Sequence, residues 1–144
     1  MTVGTADLRI GVVGVGHLGR HHARLLSAMA GVELVGIVDI EQERACEVAS
    51  EFGTSVIDDN SELCVKVDAA VVAVPTVDHV QVVGPLLEAG VSVLVEKPMA
   101  SSSDEAEKLI QLAEESRTTL AVGHTERHNP AVTAALPFIT KPRF

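Results

Sequence analysis

Residues 9–26 read RIGVVGVGHLGRHHARLL: an apolar run, three glycines, then a stretch with helical spacing. The glycines are Gly14, Gly16 and Gly19, spaced G-x-G-x-x-G. Short glycine patterns arise by chance, so this one gains weight only from a strand before it and a helix after it. In that setting each glycine has a task. Gly14 permits the tight turn, Gly16 lets a pyrophosphate approach the main chain, and Gly19 lets the helix lie close to the strand. The backbone N–H groups at His17, Leu18 and Gly19 open a helix whose dipole then faces the phosphates. His17 lies inside this turn, where its backbone matters more than its ring. A connection that serves packing alone is the plainer alternative.

The rest of the chain supplies the context. Apolar, β-branched runs recur at 8–13, 32–38, 69–74, 91–95 and 119–122, with a weaker one at 54–57. They do not alternate polar with apolar, which is the pattern of strands covered on both faces in a parallel sheet. Helical stretches are expected between them at 17–30, 41–52, 77–89 and 103–117, with short helices near 60–66 and 130–136. Gly31, Gly53 and Gly90 stand where helices should stop. Ser102 and Glu105 form a capping box for the helix that follows. Regular alternation of strand and helix implies right-handed crossovers and an α/β, doubly wound, mainly parallel Rossmann sheet with helices on both faces.

The chain has 144 residues, 47% of them hydrophobic, with no Trp or Tyr and a formal charge of −9. That length suits one domain with a real core. The charge argues against nucleic acid and against an anionic membrane, both of which need a basic surface. No apolar run approaches the roughly 20 residues that a membrane helix requires. Cys46 and Cys64 form no C-x-x-C and follow no leader, so a cytoplasmic protein with reduced thiols is expected. Scattered histidines without Cys or carboxylate partners at ligand spacing give no metal site.

Three further points lie at ends of strands. Asp39 follows the second strand, 20 residues beyond Gly19. A carboxylate there accepts both ribose hydroxyls of an adenosine and repels a 2′-phosphate, which favours NAD over NADP, although Arg44 nearby counts the other way. Asp39 as a plain helix cap remains open. Val74, Pro75 and Thr76 leave the fourth strand at the edge where ligands of open α/β sheets collect, with Thr76 either touching a ribose or capping the next helix. Glu96, Lys97 and Pro98 leave the fifth. Proline extends the chain at Lys97 and aims a long cation toward the region of the nicotinamide. A lysine so placed can orient an alcohol or take its proton.

GVGHLGRHHA, Asp39, VPTVDH, EAGVSVLVEKPMA and VGHTERHNPAV, in this order over residues 8 to about 135, resemble the Gfo/Idh/MocA oxidoreductases. The resemblance implies a dinucleotide-binding Rossmann domain over residues 1–125, with 126–144 beginning a linker toward a second α/β domain that this sequence lacks. It implies Lys97 as the catalytic residue beside the nicotinamide, and Val74, Pro75, Thr76, His79 and Glu96 around the cofactor groove. It further implies hydride transfer between NAD and a hydroxyl carbon of a sugar, cyclitol or nucleotide sugar, in a full-length homo-oligomer. A cofactor-sensing module without chemistry, and another two-domain dehydrogenase such as an amino-acid pathway reductase, are the competing readings. His22 is expected to pack and hydrogen bond. His124 either reaches the site or is structural. The Lys97-Pro98 peptide is expected to be cis, and residues after Pro130 to pack poorly within the chain.

Overall fold

The computed structural model describes residues 7–139. Its strands are β1 (Leu8–Val13), β2 (Val32–Val38), β3 (Ser55–Val56), β4 (Ala69–Val72), β5 (Ser92–Val95) and β6 (Leu120–Val122). Its helices are α1 (His17–Ser27), α2 (Gln42–Phe52), α3 (Asn60–Cys64), α4 (His79–Glu88), α5 (Ser103–Ser116) and α6 (Pro130–Ile139). The six strands form one sheet in the order β3-β2-β1-β4-β5-β6, and every pairing is parallel. The order reverses beside β1, so the crevice between the loops after β1 and β4 is the topological switch point of a Rossmann sheet.

Continuous apolar runs produce this sheet because neighbouring residues point to opposite faces and both faces are covered. Val12 and Val13 show the division. Val12 packs with Ala23, Leu26, Ala45 and Val48 of α1 and α2, whereas Val13 joins the cluster holding Leu63, Leu86, Leu87 and Leu109 of α3, α4 and α5. Each fully buried aliphatic side chain of this kind contributes about 1.5–3 kcal/mol.

Several boundaries differ from expectation. β4 stops at Val72, because its neighbours β1 and β5 end at Val13 and Val95 and leave no ladder beyond. A single 3₁₀ turn at Thr76–Asp78 precedes α4. α1 ends at Ser27 with Ala28 as its cap, so Gly31 instead serves the entry to β2. In the box at α5, the Ser102 hydroxyl accepts from Glu105 N at 3.2 Å, while Glu105 reaches one residue further back to Ser101 N at 2.9 Å. α6 buries none of its residues; Phe138 and Ile139 are 72% and 70% exposed. No helix among the described residues is long and apolar enough to cross a membrane.

Candidate dinucleotide and hydride-transfer site

Parallel strands all finish on the same side, so the loops after β1, β2, β4 and β5 gather along one edge. After β1, Gly14 takes φ +80° and its N–H donates to Val38 O at 2.8 Å, tying the turn to the end of β2. Gly16 caps α1 with no side-chain acceptor, and the first turn holds no acidic residue. The leading N–H groups at His17, Leu18 and Gly19 are therefore offered to an anion, with the helix dipole behind them. A Cβ at Gly19 would collide with the Gly14 carbonyl, so only glycine lets the helix sit this close to the strand. A Cβ at Gly16 would meet nothing within 4 Å, so the space before it is open to a ligand. An open cleft of about 480 Å³ runs over this turn, lined by Gly16, His17, Arg20, Glu41, Glu43 and Arg44 among others. Bare backbone, free donors and open space fit a diphosphate. His17 and Leu18 both stand at the surface, and the His17 ring packs edge-on against His21 at 4.9 Å.

Asp39 closes the far side of this turn. Its side chain is only 2% exposed. It accepts from Val15 N at 2.7 Å, from Glu41 N at 2.8 Å, and from Arg44 Nε and Nη2 at 3.1 and 2.6 Å. Burial works to raise the pKa of this carboxyl, but the hydrogen bonds from Arg44, Glu41 and Val15 outweigh it and hold the group below the usual carboxylate range. The cap of α2 is Glu41 rather than Asp39. Asp39 instead joins the β1 turn, the start of α2 and Arg44.

At the end of β4, the Val74 side chain packs against Gly14, while Pro75 is exposed and Thr76 partly so. His79 is buried at 1% exposure, its Nδ1 3.1 Å from Met99 O and its Nε2 3.1 Å from Val74 O. Expected to line the groove, it stands behind it instead and braces the β4 and β5 loops against each other.

The β5 loop separates two adjacent ionisable groups. Glu96 is 7% exposed; it accepts from His22 Nε2 at 2.8 Å and from Lys97 N at 3.1 Å. A carboxylate only accepts, so the His22 ring carries its proton on Nε2 in this contact. Expected around the groove, Glu96 points inward, and its carboxylate atoms come within 3.0–3.1 Å of where a Cβ on Gly123 would stand. Lys97 is exposed, and the Lys97-Pro98 peptide is cis. Lys97 lines a second cleft of about 510 Å³ with Gly123, His124, Thr125, Glu126 and Arg127. His124 therefore shares a cavity with Lys97, and Glu126 is turned aside to accept from Asn129 Nδ2 at 2.8 Å.

The family model described as an oxidoreductase family with an NAD-binding Rossmann fold, GFO_IDH_MocA, matches residues 8–124. This chain belongs to the Gfo/Idh/MocA family. Within it, the chain is 41% identical over 125 residues to the UDP-N-acetylglucosamine 3-dehydrogenase of Acidithiobacillus ferrooxidans, covering 87% of this chain and 39% of that protein. A solved structure of that enzyme superposes with a TM-score of 0.87 over 93% of this chain and 44% of the other, at 38% identity. GenD2 from gentamicin A biosynthesis, solved in complex with NAD, gives a TM-score of 0.88 at 32% identity, covering 93% of this chain and 39% of that one. An inositol 2-dehydrogenase of Rubrobacter xylanophilus is 35% identical over 127 residues, covering 85% of this chain and 37% of its own. The chain thus spans about two-fifths of the length of its Gfo/Idh/MocA relatives.

Among the residues expected at the site, Gly16 and His17 line the first cleft, Gly14, Leu18, Gly19 and Asp39 lie in the adjoining turn, helix start and strand end, and Lys97 lines the second. The closure of Asp39 by Arg44 and the burial of Glu96 on His22 were not foreseen. Only the five-residue spacing of Asp39 and Arg44 hinted at the first.

Proposed function

We propose that this domain is the cofactor-binding half of a nicotinamide-dependent dehydrogenase acting on a hydroxyl carbon of a sugar, cyclitol or nucleotide sugar. The observation that carries the reading is Lys97, a cation with a cleft of its own on the same sheet edge as the glycine turn. The turn holds the diphosphate through the N–H groups that open α1, Asp39 and Arg44 border the adenosine ribose, and Thr76 lies along the path between. NAD is the cofactor taken by GenD2 and the one an acid at Asp39 favours. When bound, the nicotinamide supplies the hydride acceptor for the alcohol carbon. Lys97 Nζ donates to the substrate oxygen and so orients and polarises the hydroxyl as the ketone forms. The names of the relatives support a sugar-like substrate.

In this reading residues 1–125 form the dinucleotide domain and 126–144 lead toward a substrate domain; residues 1–6 and 140–144 lie outside the described structure. The full-length enzyme works as a homo-oligomer in the cytoplasm. The test is Lys97→Met in a chain extended to the length of its relatives. Dinucleotide affinity should stay within about twofold, while kcat should fall by about 100-fold, the scale of a lost acid-base group. Undiminished turnover would remove Lys97 from the chemistry.

A further inference from the structure

We propose that His22 is a positioning residue for Lys97: through the buried carboxylate of Glu96 it fixes the stretch of backbone from which the lysine side chain leaves the end of β5. The inference rests on the reading of Lys97 as the group that orients the substrate oxygen. Two hydrogen bonds in series join the residues. His22 Nε2 donates to Glu96 Oε1 at 2.8 Å, and Glu96 Oε2 accepts from the backbone N–H of Lys97 at 3.1 Å.

The need for this relay comes from where the sheet ends. β5 pairs with both β4 and β6 only as far as Val95. The N–H of Glu96 still reaches Val72 O at 2.9 Å, but no strand carbonyl takes the N–H of Lys97, and Pro98 has no N–H to offer. The carboxylate of Glu96 stands in for the missing strand. Lys97 adds no restraint of its own, because its side chain is exposed and forms no ion pair among the described residues. Its flexible four-carbon stem starts from whatever direction the backbone gives it.

His22 is what keeps that carboxylate in place. Glu96 is 7% exposed, and His22 is its only side-chain donor among the described residues. A buried carboxylate that loses its donor is costly to keep buried, so without His22 the group would turn toward water and give up the N–H of Lys97. His22 belongs to α1 but lines neither cleft. Its substitution therefore leaves the seat of the dinucleotide untouched and reaches the chemistry only through Glu96.

The chain holds four lysines, Lys66, Lys97, Lys108 and Lys141, so isotope labelling of lysine nitrogen alone gives a magnetic-resonance spectrum in which Lys97 is assigned by its absence from Lys97→Met. In His22→Phe, which keeps a ring and loses the donor, solvent exchange at the Lys97 amide should quicken by about tenfold or more, while Lys108 within α5 stays within about twofold. His22→Gln, whose amide can donate to Glu96, should bring the rate back to within about threefold of the unaltered chain. NADH affinity by calorimetry should stay within about twofold in both variants. In a chain extended to the length of its relatives, with UDP-N-acetylglucosamine and inositol as probes, His22→Phe should lower kcat by about tenfold or more with Lys97 present, and by less than about twofold in the Lys97→Met background. Exchange at Lys97 unchanged within about twofold in His22→Phe overturns the inference. So does a loss of kcat equal in both backgrounds, or a loss of NADH affinity as large as that of kcat. His22→Leu carries the same test if circular dichroism shows His22→Phe unfolded. Full turnover in Lys97→Met overturns the reading of Lys97 instead, while the exchange rates still decide whether His22 holds the backbone, so the two failures are distinguishable.

Discussion

Gly16 and Gly19 lie three residues apart and serve opposite needs. At Gly19 an added methyl meets the Gly14 carbonyl, and neither helix nor strand can retreat without losing packing. Gly19→Ala should cost about 1–3 kcal/mol, the usual range for overpacking, read as a lower midpoint in urea. At Gly16 the added methyl meets only open space. Gly16→Ala should keep its midpoint and weaken NADH binding by about tenfold or more, since the methyl stands where the main chain should approach the pyrophosphate. A Gly16→Ala protein that binds NADH normally would show that the diphosphate lies elsewhere. The same scale explains why Glu96 and Lys97, adjacent in sequence, part company. The acid is drawn inward by His22, while the lysine keeps its cation in the open cleft.

Among the elements, α5 gives the cleanest separation of local from tertiary contributions. Its start is closed by the Ser102 hydroxyl, a contact within three residues. Ser102→Ala should cost about 0.5–2 kcal/mol, as cap losses do. Leu109, in its middle, is fully buried against the sheet and α4. Leu109→Ala should cost about 2–5 kcal/mol through lost burial and the cavity it leaves. Equal costs in urea denaturation would mean that α5 is held by its own propensity rather than by packing. α6 differs in kind, because none of its apolar residues is more than partly buried within the described structure.

For the molecule as a whole, the charge pattern makes stability fall with acid. Hydrogen bonds from Arg9 lower the Asp68 carboxyl, and Lys66 lowers Glu62. At Asp39 burial opposes the shift, and the bonds from Arg44, Glu41 and Val15 reverse it. A carboxyl with a depressed folded pKa contributes stability that is fully present above its unfolded value of about 4 and lost as pH falls through the folded value. Thermal midpoints should therefore hold steady from neutral pH down to about pH 5 and drop below it. The exposed pairs count for little because solvent screens them, so Asp39 should dominate. Asp39→Asn should lower the midpoint at neutral pH and flatten the acid slope; an unchanged slope would move the effect to other carboxylates.

Much of this architecture was legible in order along the chain. Doubly apolar runs and intervening helical spacing gave strand, helix and parallel pairing, and three glycines between the first strand and helix marked the tight β1–α1 turn, because backbone geometry there depends on a few adjacent residues. The gathering of four loops at one edge follows from the parallel pairing, whereas the strand order, with its reversal beside β1, is a property of the folded sheet. The tertiary structure alone also decided the direction of the polar side chains. His22 and Glu96 meet across 74 residues, His79 turns to carbonyls of two loops, and Arg44 closes on Asp39. Periodicity says which face of an element is apolar. Which donor fills a given lone pair depends on how helices settle on the sheet, and that is set by packing among residues far apart in sequence.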